Sequence, residues 1–197
     1  EPTACAVKGL RRAKIIQGDT VLIIGLGVMG MINILLAREY GAGRIIGADM
    51  VNYRLDKALE FGADNVIDVA AGDLREELLR ISEGDMAELV IVGPNSAESM
   101  RMGLSCVRPG GQTLFFTPAK PGEKLILDPN YLYFNDINII TSYSCGPDDT
   151  REACKLIGKG VVSAGKLVTH RFPIEETGEA FRLTAKAENS LKSLIIF

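Results

Sequence analysis

Three glycines with a fixed spacing offer the clearest chemistry in the sequence. Gly25, Gly27 and Gly30 form a Gly-x-Gly-x-x-Gly pattern between a strand-like apolar segment and a helix-like segment that begins around Val28 and Met29. Such glycines permit a tight turn, let backbone amides approach a pyrophosphate, and let the helix pack closely on the strand. The positive end of the helix dipole also favours an anion there. The pattern predicts a dinucleotide phosphate site, and the alternative is a glycine-rich structural turn.

A carboxylate and a guanidinium follow this loop at positions that bear on the choice of cofactor. Asp49 ends the second strand-like segment, about 20 residues beyond the last glycine, where an acid accepts hydrogen bonds from the ribose hydroxyls and repels a 2′-phosphate. NAD is therefore favoured over NADP. Arg54 keeps NADP open, because a guanidinium pairs with phosphate. The alternatives are a helix N-cap for Asp49 and a solvated charge for Arg54.

The elements that must position these residues alternate between short Val- and Ile-rich runs and amphipathic stretches. The strand-like runs are Thr20–Ile24, Arg44–Ala48, Asn65–Val69, Leu89–Val92, Thr113–Phe116 and Ile137–Thr141. The helix-like stretches are Met29–Tyr40, Tyr53–Phe61, Leu74–Ile81, Ala97–Val107 and Asp148–Gly158. This alternation predicts an α/β protein with a Rossmann doubly wound, parallel six-stranded sheet.

Local signals refine this pattern. Asp73 and Ser96 are predicted N-caps of the helices that follow them, and the segment Pro109–Gly111 is predicted to form a turn before the fifth strand. The pattern changes after Gly160: Leu167–Thr169 and Lys192–Phe197 look extended, with a helical stretch between them over Glu175–Leu183. We therefore expect residues 1–160 to form an NAD-binding domain with a lead-in helix, and residues 161–197 to belong to a second domain.

Composition narrows the classes of partner. A hydrophobic fraction of 47% with 24% charged residues is typical of a soluble globular protein. The net charge of -3, without a basic cluster, argues against nucleic acid and membrane surfaces. The longest apolar stretch is too short to span a bilayer. The four dispersed cysteines lack a C-x-x-C pattern, which favours small core residues in a cytoplasmic protein over a disulfide framework or a zinc lobe.

Several short motifs, in order and spacing, resemble the zinc-dependent medium-chain dehydrogenases, an alcohol dehydrogenase superfamily, and particularly the branch of sorbitol and threonine dehydrogenases. The motifs are Glu1-Pro2, Gly9-Leu10-Arg11-Arg12, Gly18-Asp19-Thr20-Val21, Gly62-Ala63-Asp64, Arg108-Pro109-Gly110-Gly111 and Leu167-Val168-Thr169-His170-Arg171-Phe172-Pro173. The resemblance spans nearly the whole chain. It implies that the chain after the sixth strand returns to a catalytic domain. The non-polar strand-like end at Leu194–Phe197 also suggests a piece of a longer protein.

The resemblance implies a zinc-side role for Glu1, as a ligand of catalytic zinc or of its bound water. The alternative is a solvated terminal residue. The matching Cys and Gly-His-Glu ligands have no counterpart in this sequence. Zinc needs at least three protein ligands to act on an alcohol, so the 197-residue chain is expected to lack activity by itself.

Further positions are implied to contact the cofactor. Gly93 after the fourth strand and Thr117 and Pro118 after the fifth are expected on the nicotinamide side, as are Ser142 and Tyr143 after the sixth. The Arg-Tyr pair of animal sorbitol dehydrogenases is missing at this last position, which puts polyol specificity in doubt. Lys192 corresponds to a pyrophosphate-binding arginine of horse-liver-type enzymes, or it is an exposed strand lysine. The single histidine, His170, is expected to have a structural role.

The function expected from these residues is hydride transfer between NAD and a secondary alcohol or ketone, assisted by zinc. Two alternatives remain open: a zinc-free quinone or enoyl reductase of the same superfamily, and a nucleotide-sensing Rossmann module without chemistry. Glu1 argues against the first. The resembling whole protein is expected to be a homo-oligomer, and Ile137, Ile139 and Ile140 are candidates for either the interface or the core.

Overall fold

The structure, a computed structural model, describes residues 1–197. Its strands are β1 (Thr20–Ile24), β2 (Arg44–Asp49), β3 (Asn65–Asp68), β4 (Ala87–Val92), β5 (Val107–Phe115), β6 (Asn138–Thr141), β7 (Val168–Pro173) and β8 (Lys192–Ile196). Its helices are α1 (Pro2–Ala13), α2 (Val28–Glu39), α3 (Asn52–Glu60), α4 (Leu74–Ile81), α5 (Ala97–Ser105), α6 (Pro129–Phe134), α7 (Pro147–Gly158), α8 (Ala164–Leu167) and α9 (Thr177–Lys186). A short 3₁₀ turn, Ile174–Glu176, precedes α9.

The first six strands form one parallel sheet in the order β3-β2-β1-β4-β5-β6. All five pairings are parallel, so the predicted six-stranded Rossmann sheet is confirmed. The strand order reverses between β1 and β4, which places a crevice at their carboxyl ends. Strands β7 and β8 form a separate two-stranded parallel sheet.

Apolar residues on both faces of the central strands explain why this sheet is covered by helices on both sides. Along β1, Val21 and Ile23 join one buried cluster, whereas Leu22 and Ile24 join the other. Successive side chains of a strand point to opposite faces, so a continuous apolar run requires two covering layers. Helices α1, α2 and α7 contribute to the first cluster, and α4 and α5 to the second. No helix combines the length and the apolar character that crossing a bilayer demands.

Both predicted N-caps are confirmed. The side chain of Asp73 accepts a hydrogen bond from the N–H of Glu76 at 3.0 Å, and that of Ser96 accepts one from Ser99 at 3.1 Å. The predicted turn at 109–111 is wrong, because β5 already begins at Val107. The segment instead forms an irregularity within the strand, where the pairing with β4 shifts register and Gly110 adopts a φ of 76°.

The residues after Gly160 pack partly on the larger sheet's core. Val162, Leu167 and Leu191 are buried in the same cluster as α1 and α2. In contrast, the aromatic rings of Phe181 on α9 and of Phe197 are exposed. The expected helical and extended segments of this region are present as α9, β7 and β8. The segment therefore combines anchoring contacts with an apolar surface of its own.

Candidate dinucleotide and metal site

The glycine loop joins β1 to α2, and each glycine meets a different requirement. Gly25 has a φ of 88°, in the left-handed region, and its N–H donates to the Ala48 carbonyl at 2.8 Å. A Cβ on Gly30 would lie 2.3 Å from the Gly25 oxygen, so the helix approaches the turn as closely as glycine allows. A Cβ on Gly27 would meet nothing within 4 Å. Gly27 is therefore the position where backbone faces open space.

That space is a cavity of about 340 Å³ over the loop. Its walls include all three motif glycines together with Val28, Met29, Asn33, Arg54, Gly93 and Thr117. Arg54 Nε and Asn33 Oδ1 are buried without a hydrogen-bond partner. Buried polar atoms are normally paired, so these two orphans indicate that a polar ligand or water belongs here. The open backbone and the unpaired guanidinium nitrogen fit a pyrophosphate.

Asp49 lies at the end of β2, directly behind the loop, and is buried. Its Oδ2 accepts the N–H of Leu26 at 2.7 Å, and its Oδ1 accepts that of Met50 at 2.8 Å. Arg54 approaches the same carboxylate at 3.4 Å. The alternative that Asp49 caps the next helix is wrong, because α3 begins at Asn52 with Val51 as its N-cap. Asp49 thus ties the second strand to the glycine loop.

A second cavity, of about 480 Å³, adjoins the first along the carboxyl ends of β5 and β6. Met29, Phe116 and Thr117 line both cavities. Thr117 Oγ1 donates to the Gly93 carbonyl at 2.7 Å, which fixes the ends of β4 and β5 relative to each other. The predicted residues Pro118, Ser142 and Tyr143 also line this second cavity. The hydroxyl of Ser142 is buried without a hydrogen-bond partner, and it is the third such polar atom along the two cavities that a ligand could satisfy.

The amino end of α1 closes the second cavity, and Glu1, Pro2 and Cys5 belong to its walls. Glu1 is exposed, and its Oε1 lies 3.9 Å from Cys5 Sγ. Burial, followed by the neighbouring Cys145, raises the pKa of the Cys5 thiol. The carboxylate of Glu1 is thus an available oxygen ligand at the cavity, which is the donor type that zinc accepts alongside nitrogen and sulfur.

The structure does not bring every predicted residue to this place. Lys192 is exposed on β8 and lines neither cavity. His170 lies on β7, where its Nδ1 is 3.0 Å from Thr169 Oγ1, and it also lines neither cavity. Among the cysteines only Cys106 is a core residue, with burial raising its pKa to about 11. The expectation of core cysteines is wrong for Cys154, which is exposed, and for Cys5 and Cys145, which are half-buried.

Sequence reasoning missed several wall residues. Asn33 was detectable in principle, because it is the one polar residue in the apolar part of α2, from Val28 to Ala37. Met100 and Phe116 carry no such signal, since apolar residues at these spacings are equally expected of a core. Cys5 reaches the cavity because α1 packs beside α2 and α7 with its amino end near the carboxyl ends of β5 and β6, and that placement depends on tertiary contacts.

These features define an open α/β sheet with a glycine-rich anion site at its switch point, the arrangement of a Rossmann dinucleotide-binding domain. Residues 28–159 match the zinc-binding dehydrogenase family, and the chain belongs to it.

Relatives agree with this assignment. Sorbitol dehydrogenase of Bombyx mori is 31% identical over 99% of this chain and 56% of its own length. Sorbitol dehydrogenase of Homo sapiens is 29% identical over 94% of this chain and 52% of its own length. The chain thus spans about half the length of these curated relatives. A Sinorhizobium meliloti structure with NADP bound has a TM-score of 0.92 at 25% identity, over 100% of this chain and 58% of that one. A short chain alcohol dehydrogenase from Escherichia coli with NADH has a TM-score of 0.91 at 22% identity, over 100% and 58%.

Proposed function

We propose that this chain is the NAD-binding part of a zinc-dependent dehydrogenase that transfers hydride between the nicotinamide and a secondary alcohol, such as a polyol, or its ketone. The observation that carries the proposal is the pair of adjoining cavities along the carboxyl edge of the sheet, with the bare backbone of Gly27 at one end and the carboxylate of Glu1 at the other. The sorbitol dehydrogenase relatives support a polyol or similar small alcohol as substrate.

At the phosphate end, binding is assigned mainly to backbone groups. The N–H groups at the start of α2, from Val28 and Met29, lack helical partners by position and point out of the helix end. Arg54 supplies a charge from the wall of the cavity. Asp49 holds the loop through Leu26 and supplies negative charge where the adenine ribose is expected, which favours NAD.

At the nicotinamide end, Gly93, Thr117 and Pro118 form the wall that orients the ring, and the unpaired hydroxyl of Ser142 offers a polar contact. A bound nicotinamide supplies the hydride chemistry. Tyr143 lies at the mouth of the cavity, with 90% of its surface exposed, and is positioned to cover a bound ligand from solvent.

Glu1 is assigned to the zinc side of the reaction. When bound, zinc polarises the substrate oxygen. We also propose that residues 161–197 pack against a catalytic domain and that the whole protein is a homo-oligomer. Strand β6 lies at the edge of the sheet, where its outer side is available to a neighbouring subunit, whereas Ile137 belongs to this chain's own core.

NADH is expected to raise the thermal unfolding temperature of this chain. A ligand bound only by the folded state adds about 2.7 kcal/mol to the free energy of unfolding when its concentration is 100 times its dissociation constant.

Asp49→Asn, which keeps one acceptor oxygen for Leu26, should weaken NADH binding. It should also bring the affinities for NADH and NADPH closer together. The matched control is Asp56→Asn, an exposed acid on α3. Differential scanning fluorimetry with both cofactors measures this. If Asp49→Asn leaves the ratio of NADH affinity to NADPH affinity unchanged, the ribose role of Asp49 is contradicted. If millimolar NADH does not shift the unfolding temperature of the parent chain, the proposed function is contradicted.

Binding and catalysis should separate in the 197-residue chain. It is expected to bind NADH but not to oxidise sorbitol or other secondary alcohols. The resemblance assigns a zinc-side role to only one residue of this chain, Glu1, and zinc needs at least three protein ligands to act on an alcohol. The measurement is NADH formation with a panel of secondary alcohols, with and without added zinc and after chelation. Zinc-dependent turnover by this chain would show that it carries a complete catalytic centre.

A further inference from the structure

Three side chains with metal-binding atoms converge beside the second cavity. The Glu1 carboxylate and the thiols of Cys5 and Cys145 have ligand atoms that all lie within 4.8 Å of one another. Glu1 and Cys5 are four residues apart at the start of α1, so both project from one face of that helix. Cys145 comes from the loop between β6 and α7. The cluster therefore joins two segments that are remote in sequence.

The spacing suits a tetrahedral zinc ion. Zinc lies about 2.3 Å from thiolate sulfur and about 2.1 Å from carboxylate oxygen, which puts neighbouring ligand atoms about 3.6–3.8 Å apart. The distance from Cys5 Sγ to Glu1 Oε1 is 3.9 Å. Small side-chain rotations are thus enough to bring the three ligand atoms onto one ion.

The backbone that carries these residues is held in place by contacts that do not involve the thiols. Lys8 Nζ donates to the Tyr143 carbonyl at 2.7 Å, and Arg11 pairs with Asp149 at 2.9 Å. Asp149 in turn accepts the N–H of Gly146 at 2.8 Å. These contacts lie on both sides of Cys145 and fasten its loop to the helix that carries Cys5. The two thiols are therefore preorganised neighbours, which lowers the entropic cost of closing a metal site.

We propose that Glu1, Cys5 and Cys145 form a zinc-binding site, with one oxygen and two sulfur ligands and a water molecule in the fourth position. Thiolates select soft or borderline ions such as Zn²⁺ over Mg²⁺ and Ca²⁺. Both thiols release their protons when the ion binds. The site shares Glu1 with the proposed function and rests on it for that residue, and it goes beyond that function because neither cysteine takes part in it.

The ion would fasten the start of α1 to the loop after β6. Both segments form walls of the second cavity, since Pro2 and Ser144 line it.

Titration with Co²⁺ under reducing conditions tests the proposal, because thiolate-bound Co²⁺ shows a near-ultraviolet charge-transfer band. We expect the band to saturate at one ion per chain and to disappear when Zn²⁺ is added. Cys145→Ser and Cys5→Ser should each weaken Zn²⁺ binding by about tenfold or more, and Glu1→Gln should weaken it without abolishing the band. Cys154→Ser, which removes an exposed thiol from α7, is the matched control and should behave as the parent chain.

Thermal unfolding provides a second measurement that does not depend on cobalt. Zn²⁺ should raise the unfolding temperature of the parent chain and of Cys154→Ser, but not of Cys145→Ser, whose midpoint in chelator should match that of the parent. The proposal is overturned if the parent chain shows no charge-transfer band. It is also overturned if the band survives in the Cys5→Ser/Cys145→Ser double variant or is lost in Cys154→Ser.

Discussion

Gly27→Ala is expected to leave the chain folded and to weaken NADH binding by about tenfold or more. The new methyl group would meet no protein atom within 4 Å, and Gly27 has a φ of -68°, which alanine adopts without strain. The methyl would instead occupy the open space over the loop, where the pyrophosphate backbone must come close. The measurement is a fluorescence titration with NADH, paired with thermal unfolding without cofactor.

The control for this variant is Gly158→Ala at the end of α7, where a Cβ also meets nothing within 4 Å. Its unfolding temperature should stay the same or rise slightly, because alanine is the better helix former, and its NADH affinity should not change. Equal NADH affinity in Gly27→Ala and the parent chain would mean that the loop does not cradle the cofactor.

Gly30→Ala should have a different outcome, in which the fold itself is damaged. Its Cβ would lie 2.3 Å from the Gly25 carbonyl oxygen and 3.1 Å from the carbonyl carbon, and backbone atoms cannot rotate away. Helix α2 would have to move off the turn, at a cost of about 3 kcal/mol in the free energy of unfolding. Urea denaturation of Gly30→Ala beside Gly27→Ala measures the difference. Equal midpoints in the two variants would refute the close-packing role of Gly30.

The sheet and its glycine loop could be predicted from sequence because their signals are local. Strand β1 and helix α4 begin and end at the predicted residues, and the alternating elements, with Gly25, Gly27 and Gly30 at the first turn, predicted the doubly wound parallel sheet. The predicted turn at 109–111 was wrong for a physical reason. Pro109 and Gly110 favour turns in isolation, but here they lie within β5, where its pairing with β4 shifts register.

The resemblance gave Glu1 a zinc-side role, but the meeting of Glu1 and Cys5 with Cys145 could not be predicted, because it depends on contacts across most of the chain. Nothing local to Cys145 distinguishes it from a small core residue, and its proximity to Cys5 depends on how α1 packs on the sheet.

Helix α6 was not predicted from the sequence either. Asp128 caps it and Pro129 starts it, yet it has only six residues and buries none of them, so the sequence shows no amphipathic period there.

The hydrogen bond from Lys8 to the Tyr143 carbonyl spans 135 residues, and the pairing of Arg11 with Asp149 spans 138. Such distant contacts close long loops and form late, because the entropy of loop closure is lost before the contacts contribute. During synthesis the glycine loop can therefore assemble on the growing sheet while the second cavity still lacks a wall. That cavity is completed only after α7 has left the ribosome and packed against α1.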